Sequence, residues 1–273
     1  MKFAFVSCVG FGLTCIKQLY NSGHKLDLVI TLHDHLSNNK SGRVYFDSFC
    51  HTQNIELLKV TNINDQVCYR RIKELQIDWL FIIGWSQIAK QPILDSVEYG
   101  VIGAHPTLLP MGRGRAAIPW TILKELDYTG VTFFKMDSGV DSGDILCQEL
   151  IKVNSLENAT TLFKKVNIAH KNGVRTLVSK IINNNLIYTQ QDQKLVSYWP
   201  ERKDEDGKIQ LEGSVYEAEK LIRATTRPYP GAYFIKESIK IRVWKAKIIN
   251  KIISNDDKIL IFYDGILLLE EYS

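Results

Sequence analysis

One histidine and a cluster of carboxylates are the residues in this chain whose types and setting suit acid–base chemistry. His105 ends the apolar run "VIGAH", and the glycine-rich segment "DSGVDSGD" carries Asp137, Asp141 and Asp144. A carboxylate hydrogen-bonded to an imidazole fixes its tautomer and raises its basicity. Such a pair can take a proton from an attacking amine or pass one to a leaving group. A structural histidine and aspartates that bond their own turn remain the alternatives.

The loop that follows His105 is stiff and cationic. It reads "PTLLPMGRGR", with two prolines and with Arg113 and Arg115 at its end. Guanidinium groups match phosphate and carboxylate with paired hydrogen bonds. The loop therefore predicts a wall that faces an anionic substrate, and surface cations that only pin the loop are the alternative.

Buried strands must position these residues. Continuous apolar runs such as "KFAFVSC", "KLDLVITL", "DWLFIIGW" and "YGVIGAH" alternate with helical patterns such as "LTCIKQLYNSG". This alternation predicts an α/β fold with an open, doubly wound, mostly parallel sheet. Ligands bind at the carboxyl ends of the strands in such sheets, and His105 is predicted to lie at one of these ends.

The pattern changes near residue 195. A charged, turn-rich stretch precedes one helical segment and then alternating, β-branched runs with a hairpin signal at Asp264–Gly265. We expect an N-terminal catalytic domain over 1–195 and a small β-rich C-terminal domain over 196–273.

Composition narrows the class of protein. The chain has 273 residues and a net charge of +4, too small a charge to indicate nucleic-acid binding by itself. No apolar window reaches the ~18 residues of a membrane span. The five cysteines are scattered without metal-type spacing, which favours reduced thiols. We therefore expect a cytoplasmic protein that binds neither nucleic acid nor membrane.

Two weaker motifs fall short of a metal site and of a dinucleotide-binding site. His33 and His35 have too few neighbouring ligands to indicate a metal site. The "GFG" at residues 10–12 lacks the third glycine of a dinucleotide-binding fingerprint. No metal is expected.

A longer stretch goes beyond generic chemistry. The residues "HPTLLPMGRGRAAIPW…TGVTFFKMDSGVDSGDI" resemble the signature of N10-formyltetrahydrofolate-dependent formyltransferases, and the enzymes that N-formylate nucleotide-linked amino sugars are most similar. His105 and Asp141 lie 36 positions apart, as in the family pattern. The resemblance covers about residues 1–150, and "RATTRPYPGAYF…VWKAKI" resembles the small β domain of the amino-sugar enzymes. It implies a formyltransferase-like, Rossmann-type fold.

The resemblance implies catalytic roles. His105 would be the base or proton relay for the attacking amine, and Asp141 would orient it. The family asparagine that donates to the oxyanion is replaced here by Gly103. Because such a donor is worth ~10²–10³ in rate, we expect a backbone N–H, a water, Ser86 or Gln87 to replace it, or else an inactive chain.

The resemblance also implies binding residues. Candidate contacts for the folate co-substrate are Trp85, Ser86, Gln87, Ile88, Asp137, Gly139 and Val140. Candidate contacts for the nucleotide sugar are Arg113, Gly114, Arg115, Trp120 and Tyr229. A core role for Trp85 and a simple rigid turn at Tyr229 remain open.

The expected activity is formyl transfer from N10-formyltetrahydrofolate to a dTDP-, UDP- or GDP-linked amino-dideoxy sugar, in the synthesis of an O-antigen or capsule. Formylation of methionyl-tRNA is the alternative, for which a longer, basic C-terminal domain is expected. A formyl-folate hydrolase and a catalytically lapsed member that only binds ligand are further alternatives. The terminal apolar hairpin is predicted to pair two copies into a homodimer.

Overall fold

The apolar runs form strands in a computed structural model that describes residues 1–36, 42–251 and 258–273. The first nine strands are β1 (Phe3–Val6), β2 (Leu28–Leu32), β3 (Glu56–Val60), β4 (Trp79–Ile83), β5 (Gly100–His105), β6 (Arg113–Gly114), β7 (Tyr128–Lys135), β8 (Ile145–Lys152) and β9 (Tyr198–Trp199). Unit 1 consists of Met1–Gly114, Thr129–Ile151 and Val166–Tyr198. Unit 2 consists of Arg115–Tyr128, Lys152–Lys165 and Trp199–Ser273.

Seven strands form one sheet in the order β3-β2-β1-β4-β5-β7-β8. The first five in this order pair in parallel, whereas β7 runs antiparallel to β5. The order reverses direction on the two sides of β1, which is the arrangement of a doubly wound sheet. This confirms the predicted fold class.

In unit 1, helices cover the sheet because its strands are apolar on both faces. The described residues form the helices α1 (Gly10–Asn21), α2 (Asp47–Gln53), α3 (Gln66–Leu75), α4 (Gln91–Leu94), α5 (Ala117–Leu123), α6 (Ala159–Ile182) and α7 (Val215–Thr225). Of these, α5 and α7 belong to unit 2, whereas α1 to α4 and most of α6 belong to unit 1. All residues of β1 and β4 are buried. Phe5 and Phe81 stack within this core, with ring centroids 5.6 Å apart.

The "GFG" stretch opens α1 and serves packing. A Cβ atom on Gly12 would lie 2.0 Å from Ser7 Oγ, so only glycine lets the helix approach β1 so closely. The three residues therefore form the first turn of α1.

The longest helix, α6, carries a buried histidine. His170 stacks on Phe11 with ring centroids 4.7 Å apart, and its Nδ1 atom lies 2.9 Å from the carbonyl oxygen of Val166. Burial lowers the pKa of His170 from 6.5 to about 4. The ring is therefore neutral near pH 7.

The C-terminal part of unit 2 is β-rich, as predicted. Its strands are β10 (Ala232–Lys236), β11 (Ile239–Ile249), β12 (Ile259–Phe262) and β13 (Gly265–Tyr272), in the order β10-β11-β13-β12. The Asp264–Gly265 hairpin signal falls at the β12–β13 connection. Asp264 also accepts hydrogen bonds from Ser214 Oγ and Val215 N, so it caps α7 as well.

The five cysteines are thiols and not disulfides, and burial raises the pKa of the Cys50 thiol to about 11 and that of Cys68 to about 12. Within residues 1–36, 42–251 and 258–273, no three His, Cys, Asp or Glu side chains gather as a metal site. None of the helices in this part of the chain is long and apolar enough to cross a bilayer.

The neutral state of His170 predicts a pH dependence of stability. Between pH 6.5 and about 4 the unfolded chain binds a proton at this ring that the folded chain does not bind. The free energy of unfolding should therefore fall as pH decreases through this window, by about 3 kcal/mol from this group. His170→Phe retains an aromatic ring and removes the titration, so its urea unfolding should depend less on pH than that of the wild type. Parallel curves for the two proteins would contradict this assignment.

Candidate active site

His105 is held at one nitrogen by the loop that follows it. The residue ends β5, its exposed fraction is 7%, and its Nε2 atom lies 2.7 Å from the carbonyl oxygen of Gly112. A carbonyl oxygen only accepts hydrogen bonds, so Nε2 carries the hydrogen in the neutral ring. Nδ1 is then the basic nitrogen.

Asp141 lies beside that basic nitrogen. Its Oδ2 atom is 3.5 Å from His105 Nδ1 and accepts a hydrogen bond of 2.9 Å from the backbone N–H of Gly114. A proton taken up at Nδ1 would face this carboxylate, which stabilises the charged ring. The arrangement can therefore accept a proton at Nδ1 and release it again.

The turn that carries Asp141 reaches His105 by folding back. Because β7 is antiparallel to β5, its last residues lie beside the start of β5, where Met136 N bonds the carbonyl of Val101. The strand that precedes Asp141 is thus antiparallel to β5, and it ends at the opposite edge of the sheet from His105. Inside the turn, Asp137 Oδ1 accepts hydrogen bonds from Gly139 N at 3.0 Å and Ser142 Oγ at 2.7 Å.

The position of the family asparagine has no room for a side chain. A Cβ atom on Gly103 would lie 2.8 Å from Phe134 Cζ and 3.1 Å from Met136 Cγ. Phe134 is buried and pairs with Gly103 across the β5–β7 ladder. The space of the missing side chain is thus filled by apolar atoms, and any oxyanion donor must come from another group.

The candidate folate residues after β4 have different environments. Trp85 packs on the core, and its buried Nε1 atom has no hydrogen-bond partner among the described residues. The amide of Gln87 is engaged, because Nε2 donates to Thr61 O and Oε1 accepts from Ile63 N. Ser86 stands between Trp85 and Gln87 in the sequence, and Ile88 is 66% exposed. In the turn after β7, Val140 is 49% exposed and Gly139 fits against Ser142.

Arg113 is buried instead of facing solvent. It is 3% exposed, and its guanidinium donates to Gln191 Oε1 from Nε at 3.1 Å and from Nη2 at 2.7 Å. A further bond of 3.2 Å joins Nη1 to the hydroxyl of Tyr198. Gln191 was not among the predicted site residues, because it lies in the polar stretch "TQQDQK" without any neighbouring motif.

Two further candidates lie in unit 2. Arg115 forms an ion pair with Glu201 at 2.5 Å. Trp120 donates from Nε1 to Pro200 O at 2.8 Å, and Arg202 stands over its ring at 5.1 Å from the centroid. Both side chains therefore have partners within their own unit.

Tyr229, also in unit 2, lines a cavity of about 570 Å³ together with Arg227, Pro228 and Trp244. Burial raises its pKa well above the usual range, so the hydroxyl stays protonated near neutral pH. The hydroxyl is thus a hydrogen-bond donor at neutral pH.

The doubly wound sheet and the imidazole–carboxylate pair at a strand end form an arrangement that can serve acid–base catalysis. Residues 5–178 match the formyl transferase family, and residues 202–269 match the formyl transferase C-terminal domain. The chain belongs to the formyl transferase family and is a formyltransferase.

Proteins similar to this chain include a methionyl-tRNA formyltransferase and two N-formyltransferases of known structure. A methionyl-tRNA formyltransferase of Ruminiclostridium cellulolyticum is 30% identical, over 99% of this chain and 91% of that protein. The solved 4-N formyltransferase of Francisella tularensis is 25% identical with a TM-score of 0.69, over 89% of this chain and 96% of that one. An N-formyltransferase of Helicobacter canadensis, solved with folinic acid and dTDP-3-aminofucose, shares the fold, with a TM-score of 0.72, 16% identity and full coverage of both chains.

The filled space at Gly103 predicts the outcome of restoring the family asparagine. Gly103→Asn should destabilise the protein by about 1–3 kcal/mol, because its side chain would overlap Phe134 in a packed core. Gly23→Asn is a matched control, since Gly23 has open space around it and asparagine tolerates its positive φ. Urea unfolding of both variants measures the difference. Equal stability of the two would show that the core opens readily at this position.

Proposed function

We propose that this formyltransferase transfers the formyl group of N10-formyltetrahydrofolate to the amine of a nucleotide-linked amino sugar. The amine attacks the formyl carbon, the bond from that carbon to the folate nitrogen breaks, and a proton passes from the amine to that nitrogen. The juxtaposition of His105 Nδ1 and Asp141 Oδ2 supports this chemistry. His105 takes the proton at Nδ1, Asp141 stabilises the charged ring, and the same nitrogen returns the proton.

The described residues fit a folate. Such a ligand has a flat ring with polar edges, and the buried Nε1–H of Trp85 is a donor without a partner among the described residues. Ile88 and Val140 leave large apolar surface exposed in the two loops that the resemblance assigns to folate. A bound ring would cover apolar surface and satisfy the indole N–H.

The charge of the C-terminal region supports a small acceptor over tRNA. Residues 201–273 contain 13 basic and 13 acidic residues, so their net charge is zero. Many of the cations there are paired: Lys240 and Arg242 with Asp204, Lys245 and Lys247 with Glu270, and Arg227 with Glu271. A protein that binds tRNA through its phosphates needs cations available to neutralise them.

A second acceptor, the amine of methionyl-tRNA, is favoured by the sequence relatives. Besides the Ruminiclostridium protein, relatives from Alkaliphilus oremlandii and Agathobacter rectalis, 28% and 27% identical, are methionyl-tRNA formyltransferases. Formylation of methionyl-tRNA would use the same His105–Asp141 pair.

A lapsed, binding-only role is the third candidate, and the glycine at position 103 supports it. Pairing of two chains through the C-terminal strands stays a prediction.

The acceptor can be tested directly. The protein is incubated with N10-formyltetrahydrofolate and either a panel of dTDP-, UDP- and GDP-linked 3-amino and 4-amino sugars or initiator methionyl-tRNA. Free tetrahydrofolate and the mass of the acceptor are then measured. We expect formylation of at least one sugar and a kcat/KM that changes little with salt. Turnover of methionyl-tRNA alone, with a steep loss of kcat/KM at higher salt, would overturn the sugar proposal.

The role of His105 predicts a loss confined to the chemical step. His105→Ala should lower kcat by about 10²–10⁴-fold, because general acid–base catalysis contributes this much. Binding of the acceptor, measured by calorimetry, should stay within about threefold of the wild type. His51→Ala removes an exposed histidine from α2 and should leave kcat unchanged. Near-normal turnover by His105→Ala would remove this histidine from the mechanism.

A further inference from the structure

We propose that Gln191 is a positioning residue for catalysis, acting through Asp141. This inference rests on the proposed roles of His105 and Asp141. Gln191 is 6% exposed and touches neither of their side chains through any hydrogen bond that the structure shows. Its effect on the reaction would pass through the backbone of the turn that carries Asp141.

The donor end of Gln191 holds that turn. Its Nε2 atom donates to the carbonyl oxygen of Asp141 at 2.8 Å and to that of Gly143 at 2.7 Å. Both hydrogens of the amide are therefore used on two carbonyls of the same turn. These bonds fix the backbone from which the Asp141 carboxylate projects.

The acceptor end of Gln191 holds the loop on the other side of His105. Its Oε1 atom accepts two hydrogen bonds from the buried guanidinium of Arg113. The next residue, Gly114, donates its backbone N–H to the Asp141 carboxylate. Gln191 thus closes a ring of contacts that runs through Arg113, Gly114 and Asp141 and back to its own amide.

Only a carboxamide suits this position. It must present an acceptor to a cation and two hydrogens to carbonyl oxygens, all in a buried space. A glutamate would satisfy Arg113 but turn an anion toward two carbonyls. A leucine would leave the guanidinium and both carbonyls without these partners, which is costly for buried polar groups.

The turn also contains a backbone conformation that local contacts help to define. Asp141 has a φ of +52°, in the left-handed region that aspartate and asparagine enter more readily than other residues with a Cβ atom. Contacts that hold the backbone of the turn favour this conformation over the extended and right-handed ones. Two backbone hydrogen bonds between Thr189 and Ile145, at 2.9 Å and 2.8 Å, place Gln191 next to the turn. Sequence segments far apart along the chain are therefore connected at Asp141.

A double-mutant cycle tests whether Gln191 acts through Asp141. The formation of free tetrahydrofolate is measured for the wild type, Gln191→Leu, Asp141→Asn and the double variant, with whichever acceptor of the panel above turns over. Gln191→Leu should lower kcat by about 100-fold in the wild type, because a misplaced catalytic group costs about this much, while KM stays within about threefold. In the Asp141→Asn background the same change should lower kcat less than about threefold.

The outcomes separate the inference from the proposed function. Equal losses in both backgrounds would overturn the positioning role, because they would show that Gln191 acts independently of Asp141. Wild-type activity of Asp141→Asn would instead overturn the proposed role of Asp141 itself, and the inference with it. Gln191→Glu is a second variant that keeps the acceptor for Arg113 and loses the two donors, and it should show a similar loss of kcat.

Hydrogen exchange gives a readout that needs no substrate. The amides of residues 139–144 should exchange faster in Gln191→Leu than in the wild type. Gln18→Leu is a matched control, since Gln18 is also a buried glutamine of unit 1, but it bonds Ser22 at the end of α1. This control should leave both the exchange of residues 139–144 and kcat unchanged. Unaltered exchange in Gln191→Leu would overturn the inference.

Discussion

The fixed orientation of one imidazole ring is the constraint on which the rest of unit 1 depends. Each ring nitrogen of His105 faces an atom from outside its own strand, the carbonyl oxygen of Gly112 at 2.7 Å and the carboxylate of Asp141 at 3.5 Å. The shorter contact assigns the hydrogen of the neutral ring to Nε2, and the two contacts together fix the rotation of the ring. A ring held in this way can exchange a proton at one nitrogen without reorganising. The fold must therefore bring two separate loops to the end of β5.

Unit 1 meets this constraint with buried polar contacts. The antiparallel direction of β7 sends the turn after it back toward His105, and the left-handed backbone of Asp141 aims its carboxylate at the ring. Arg113 is buried so that the loop after His105 and the turn after β7 share partners. Removing a guanidinium from water is costly unless its hydrogens are bonded, and Gln191 and Tyr198 supply those bonds. Arg113, which the sequence suggested for substrate binding, thus lies inside unit 1 and connects the two loops.

Local sequence patterns predicted individual strands and the last hairpin, but not how the strands pair. Continuous apolar runs predicted the strands of the sheet, and Asp264–Gly265 predicted the last hairpin. The α6 helix was not predicted; its Asn167, Asn172 and Gly173 are weak helix formers, and burial of its apolar residues offsets that weakness. The direction of β7 and the space at Gly103 depend on which strands pair, and the role of Gln191 depends on contacts between segments about 50 to 80 positions apart. No local pattern contains that information.

Recognition of the acceptor depends on other interactions than the proton transfer at His105. The same imidazole and carboxylate can take a proton from any amine, so the site around His105 does not distinguish a sugar from a charged tRNA. The distinction lies in the surfaces that bind the rest of the acceptor, where a polyanion requires many available cations and a nucleotide sugar requires few. In unit 2, the cations of β11 face carboxylates on β13 and near residue 204, and this pairing leaves little net field to attract a polyanion. The proposal of a sugar acceptor therefore rests on this charge balance, whereas the sequence relatives, which are methionyl-tRNA formyltransferases, favour the alternative acceptor.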